Sequence, residues 1–145
     1  GVAIITRSKT IPDKTVSLDI RYVPAEPGDG FIDVGVINGR SYCYKYTGGD
    51  DGAGGVTHTI GEGNAKIIVT LTADPRYRIA SVSFVDDKHD DIQLSAHPRH
   101  DREHEIHNKN TKAINAHYKV QVRDTGNGNA TIPCDPPITN KPSSH

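Results

Sequence analysis

Between Ala65 and Val85 the chain reads AKIIVTLTADPRYRIASVSFV, and no other stretch limits the possible folds so tightly. Ala65, Ile67, Val69, Leu71 and Ala73 fall on one side of a two-residue period; Lys66, Thr70 and Thr72 fall on the other, with Ile68 the exception. After Asp74-Pro75 the same period returns, with Ala80, Val82 and Phe84 set against Arg78, Ser81 and Ser83. Side chains alternate across a strand, so the pattern describes two antiparallel strands, each burying one face. Asp-Pro supplies the turn, because proline fixes its own φ and drives the preceding residue out of the helical region.

The same period recurs along the chain. Val16, Leu18, Ile20 and Tyr22 alternate with Ser17, Asp19 and Arg21, and PAEPGDG then breaks the strand into a loop, Pro24–Gly30. FIDVGVI and RSYCYKY flank Asn38-Gly39, residues that tolerate the positive φ of a type I′ turn, so Phe31–Tyr46 reads as a hairpin. Gly35 in mid-strand suggests a bulge or a close backbone approach. Tyr42, Tyr44 and Tyr46 share a face, expected to be partly buried with hydroxyls reaching water. TGGDDGAGG, Thr47–Gly55, is a loop, and Val56–Ile60 a short strand. Asp86–Asn110 is rich in charge and histidine and reads as a mostly exposed connection with one or two short strands. Ile114–Val122 alternates again, Asp124–Asn129 is a turn, and ATIPC is a last strand that Pro133 confines to an edge or a bulge. An apolar patch, GVAII, suits a short edge strand at the start, and residues 139–145 should fray.

Length and composition agree with this pattern. At 145 residues the chain is sized for one domain with its own core. Hydrophobic residues make up 34%, and Gly 14 with Pro 9 favours short elements joined by turns over long helices. The expected architecture is an all-β sandwich of two antiparallel sheets and about 7–9 strands. Its inner faces should include Val16, Leu18, Ile20, Val34, Ile67, Val69, Leu71, Val82, Phe84, Tyr118, Val120 and Val122. A formal net charge of -1 leaves no basic excess for phosphates, which disfavours nucleic acid. No run has the length of a membrane span, and nothing at the start resembles a signal peptide, which favours a soluble, cytoplasmic protein. The lack of methionine, even at position 1, suggests a trimmed start. Cys43 and Cys134 can pair only if their strands are neighbours, and reduced thiols are the expectation.

Histidine offers the candidate chemistry. His97, His100, His104 and His107 lie close in sequence, with Asp101, Glu103 and Glu105 between them, and imidazole with carboxylate suits zinc, copper or nickel. On a helix His100, His104 and His107 would share a face; on a strand His107 would oppose the other two. The HExxH spacing of one catalytic zinc class is absent. Asp50-Asp51 among glycines lacks the ligand spacing of an EF-hand. Asp124-Thr125-Gly126 has the letters of an aspartic-protease triplet, but Arg123 before it and Asn-Gly-Asn after it describe a turn instead. Asn129-Ala130-Thr131 has the form of a glycosylation acceptor.

At the C-terminus the strand AHYKVQV, the Asp-Thr-Gly turn and then TIPCDPPITNKP resemble the ending of the DP-EP family of small bacterial proteins. The dipeptides Asp74-Pro75, Asp135-Pro136 and Glu26-Pro27 fit that resemblance. It implies an immunoglobulin-like β-sandwich over nearly the whole chain, with unknown function.

Two functions follow as expectations. One is a non-catalytic binding module, without cofactor, that engages a protein or small molecule through Pro24–Gly30 and Thr47–Gly55. The other is a metal carrier or metal-dependent enzyme using the histidine segment. Sheet edges offer a route to homo-oligomers. If folding draws the acids of Asp86–Glu105 together, histidine pKa values there should rise, giving a weak, salt-sensitive change in local order on acidification.

Overall fold

In the computed structural model, residues 12–58, 63–86, 93–111 and 116–135 are described. Nine strands and no helix occur among them: β1 (Lys14–Arg21), β2 (Ile32–Ile37), β3 (Arg40–Gly48), β4 (Ala65–Leu71), β5 (Tyr77–Asp86), β6 (Leu94–His100), β7 (Glu103–Asn108), β8 (Ala116–Asp124) and β9 (Ala130–Cys134). They form a six-stranded sheet in the order β2-β3-β1-β4-β7-β6 and a three-stranded sheet in the order β5-β8-β9. The two pack into one core, with Val16, Leu18, Tyr42, Val69, Leu71 and Ile106 from the first sheet against Ile79, Val120, Val122 and Ile132 from the second. Each such side chain, fully buried, contributes about 1.5–3 kcal/mol.

The alternation of β1 and β4 is met residue by residue: Val16, Leu18, Ile20, Ile67, Val69 and Leu71 are buried. Val34, Val82, Phe84 and Tyr118 pack against the core but stay partly exposed. Asn38 and Gly39 take φ of 47° and 78°, as a type I′ turn demands. The bulge falls between Asp33 and Gly35. Asp74 closes the β4–β5 turn by accepting from Tyr77 N at 3.0 Å on its carbonyl and Arg76 N at 3.0 Å on its carboxylate. Pro133 lies on edge strand β9.

Four expectations need correction. The sheets are not wholly antiparallel: β1 and β4 run parallel, Val16 opposite Val69, because the β2–β3 hairpin pairs with the other side of β1 before the chain returns. Val56 to His58 form no strand, and the rest of that segment lies outside the described residues. In Asp86–Asn110 the expected short strands are present as β6 and β7 among the described residues 93–110, but they form a hairpin that buries His104 and Ile106 instead of lying mostly exposed. Finally, Tyr42, Tyr44 and Tyr46 face the core, and their hydroxyls end on protein groups rather than water. The apolar start and the tail lie outside the described residues.

The cysteines are both free and buried. Cys134 points into the core, whereas Cys43 alternates with the inward tyrosines and so occupies the opposite face of β3. Near it, Phe31 lies 4.1 Å beneath the Arg21 guanidinium, and Lys45 Nζ donates to Asp29 O at 3.1 Å. Burial pushes the Cys43 thiol pKa up, helped by Asp33 and Asp29.

Both edges of the larger sheet are interrupted, β2 by its bulge and β6 by Pro98 with a register shift before His100. Such devices oppose edge-to-edge pairing between copies.

Candidate functional site

The strand registers set which turns meet. Arg21 pairs with Cys43, while Val16 pairs with Gly48, so the β2–β3 turn lies beyond the Arg21 end of the sheet and Thr47–Gly55 lies at the opposite end. The two loops expected to form one binding surface therefore leave the β1–β3 pair from opposite ends. At the Arg21 end, Arg102 of the β6–β7 turn donates to the carbonyls of Ala73, Asp74 and Tyr77 at 2.5–2.9 Å. Asn38 Nδ2 donates to Asn127 at 3.1 Å, and Thr125 N donates to Arg76 O at 2.9 Å. The β2–β3, β4–β5, β6–β7 and β8–β9 turns are thus tied to one another.

At the centre of these turns sits Asp124, fully buried. Arg76 grips it with two bonds, Nε to Oδ1 at 2.6 Å and an Nη to Oδ2 at 3.1 Å. Tyr42 donates to Oδ2 at 2.7 Å, and Gly126 N donates to Oδ1 at 2.9 Å. Burial alone would raise the Asp124 pKa; the Arg76, Tyr42 and Gly126 bonds outweigh it and hold the carboxyl ionised, below its ordinary value. A proton-sharing aspartate is the reverse of this arrangement, so the Asp-Thr-Gly letters mark a structural anchor. Tyr42→Phe removes a hydrogen bond to a buried charge and is expected to cost about 1.5–3 kcal/mol, read from the urea midpoint.

The anchor holds a surface. Arg76 lies 4.5 Å over the Tyr22 ring, and Arg40 approaches the same ring at 5.5 Å. Among the described residues the exposed large apolar side chains are Tyr22 at 42%, Val23 at 48% and Val36 at 71%. All three belong to this end: Val36 pairs with Ser41, two residues from Cys43, which pairs with Arg21. Arg40 forms no ion pair among the described residues.

The other loop spends its acids internally. Both Asp50 oxygens take Lys14 Nζ, at 2.9 and 2.7 Å, and Thr57 N donates to Oδ2 at 2.6 Å. Asp51 Oδ1 accepts from Ala53 N and Gly55 N at 2.8 Å. These are the bonds of a folded loop, not of an oxygen cage for calcium.

The four sequence-selected histidines are divided by the hairpin. His97 and His107 stack on the solvent face, ring centroids 3.9 Å apart and planes at 19°. His104 is buried on the inner face opposite Val69, and His100 sits beside the turn, its Nδ1 accepting from Arg102 N at 3.1 Å. The in-plane lone pairs of stacked rings lie in separate, nearly parallel planes, so the stacked pair does not converge on one ion. Glu105 beside them accepts from His107 Nε2 at 2.8 Å and faces Arg99 and Lys66; the His107 bond, then those cations, hold its pKa below the ordinary value. No group of three His, Cys, Asp or Glu is placed to hold a metal ion among the described residues.

Sequence reasoning missed a Ser95 Oγ···His97 Nε2 contact of 2.9 Å, formed because residues two apart share a strand face. The contact is exposed, and among the described residues no carboxylate bonds the other nitrogen of His97. Comparison with known proteins adds no identity: no protein-family model matches the chain, and no curated protein matches it.

Proposed function

We propose that the chain is a non-catalytic binding module that engages a protein partner through the Arg21 end of its sandwich. The observation carrying this reading is the exposed group Tyr22, Val23, Val36 and Arg40, mounted on the buried Asp124–Arg76 pair. Tyrosine and arginine dominate the energetics of protein interfaces, and a rigid mount reduces the ordering cost of binding. The Pro24–Gly30 loop borders the group and is itself ordered, with Asp29 accepting from Glu26 N and Phe31 N and Asp33 accepting from Ala25 N. An immunoglobulin-like arrangement and kinship to the DP-EP proteins belong to the same proposal; both rest on the C-terminal residues and must accommodate the parallel β1–β4 pair.

The test uses immobilised full-length protein and lysate of the source organism. Partners held by the unaltered chain should be lost with a Tyr22→Ser/Val36→Ser variant whose urea midpoint is unchanged. Equal capture by both proteins sinks the reading.

A further inference from the structure

Two imidazoles at β7, those of His58 and His104, occupy positions where an added proton meets no acceptor. At one end, Asn108 Nδ2 lies 3.1 Å from His58 Nδ1. An amide nitrogen only donates, so His58 Nδ1 accepts, and the amide is fixed in that sense because Asn108 Oδ1 already takes Asn110 N at 2.9 Å. A proton on His58 Nδ1 would set N–H against N–H. In the middle, His104 is buried with its Nδ1 unpartnered, between Val69 of β4 and Pro98 of β6.

We propose that the β6–β7 hairpin is an acid-released element, held against β4 while these histidines are neutral and loosened when they are protonated. The surroundings favour the neutral state at both positions, half-buried His58 and buried His104. His58 is held below its ordinary value of 6.5 by burial and then by Lys14, with Asp50 opposing. His104 is held below it by burial and then by His100, with Asp101 opposing. The His97–His107 pair lies on the opposite face of the hairpin from His104, with Glu105 accepting from His107 Nε2 at 2.8 Å and Ser95 Oγ 2.9 Å from His97 Nε2. The sign therefore reverses the sequence expectation of raised histidine values at His104. Unfolded histidines bind more protons than these do, so the hairpin's stability is complete above pH 6.5 and is lost as pH falls through and below that value.

Amide exchange measured by NMR on the full chain, corrected for the intrinsic pH dependence, tests this. From about pH 7.5 to about pH 5.5, protection of the β7 amides should fall about tenfold, while those pairing β1 with β3 and β5 with β8 hold. The loss should persist at high salt, since buried groups are little screened. A His58→Gln/His104→Leu variant should keep its β7 protection. No loss, a loss spread over both sheets, or the same loss in the variant overturns the proposal. If the variant does not fold, imidazole titration of the unaltered chain decides: values for His58 and His104 below 6.5 support it, and values at or above 6.5 overturn it.

Discussion

Arg76→Ala is expected to destabilise the fold by about 3–5 kcal/mol, one of the two largest single-residue effects anticipated here. The reason is what remains: Asp124, fully buried, keeps only Tyr42 and Gly126 as partners for a full negative charge. Arg76 itself is about a fifth exposed, which places the effect toward the lower part of that range. Arg76→Ala/Asp124→Asn should recover part of the loss, because no unpaired charge is then left inside. The urea midpoints of the two single variants and the double variant give the coupling directly. A double variant no more stable than Arg76→Ala alone would show that the guanidinium acts through packing on Tyr22 instead. The pair also sets an acid limit. Since folding lowers the Asp124 pKa, its contribution is complete above the unfolded value, about 3.9, and is lost as pH falls through the lowered one.

The ion pair also shows where sequence reading ran out. Arg76 and Asp124 are 48 positions apart, and Tyr42 and Asp124 are 82 apart. Nothing in the local pattern joins them, so Asp124 could be read only from its neighbours Arg123 and Gly126, which described a turn. The tyrosines of β3 were legible as one face by their period of two. Their depth was not, because it depends on where Asp124, Cys134 and Asp135 arrive from the other sheet. Burial and those partners raise the hydroxyl pKa values, that of Tyr44 to about 12.

Strands with one apolar face announced themselves because burial of that face forces alternation. β1, β4 and β8 are of this kind. The hairpin of β6 and β7 was harder, since a histidine stands at the inward position next to Ile106 and a proline interrupts β6. A polar residue in a core position removes the signal that marks the strand. The binding end was illegible for a different reason. Val36 and Arg40 come from two strands, Tyr22 from the bend after β1 and Arg76 from the β4–β5 turn, and only the pairing order of the sheet gathers them. The Thr47–Gly55 segment was seen as a loop, which holds from Gly49 onward while Thr47 and Gly48 end β3, and composition could not place it at the opposite end from Pro24–Gly30.

That second loop supports the other large effect. Gly54→Ala is expected to cost about 2–4 kcal/mol, the sum of backbone strain and overpacking. Gly54 has a φ of +92°, which side chains other than glycine's avoid. A Cβ there would stand 2.8 Å from Tyr118 Oη and 2.9 Å from Tyr46 Cβ. Those rings already meet edge to face at 5.7 Å, and Tyr118 donates to Gly54 O at 2.7 Å, so the backbone of the loop forms part of the core wall. Relief would require the loop to lift, giving up that bond and the Gly54 N to Gly48 O bond of 3.0 Å. Gly52→Ala is the control. Gly52 also has positive φ, +75°, but its Cβ would meet nothing within 4 Å, leaving strain of about 1–2 kcal/mol alone. The difference between the two urea midpoints isolates the seating of the loop on Tyr46 and Tyr118. Equal effects would mean that the loop does not pack there, and that the Tyr118 hydroxyl is satisfied by water.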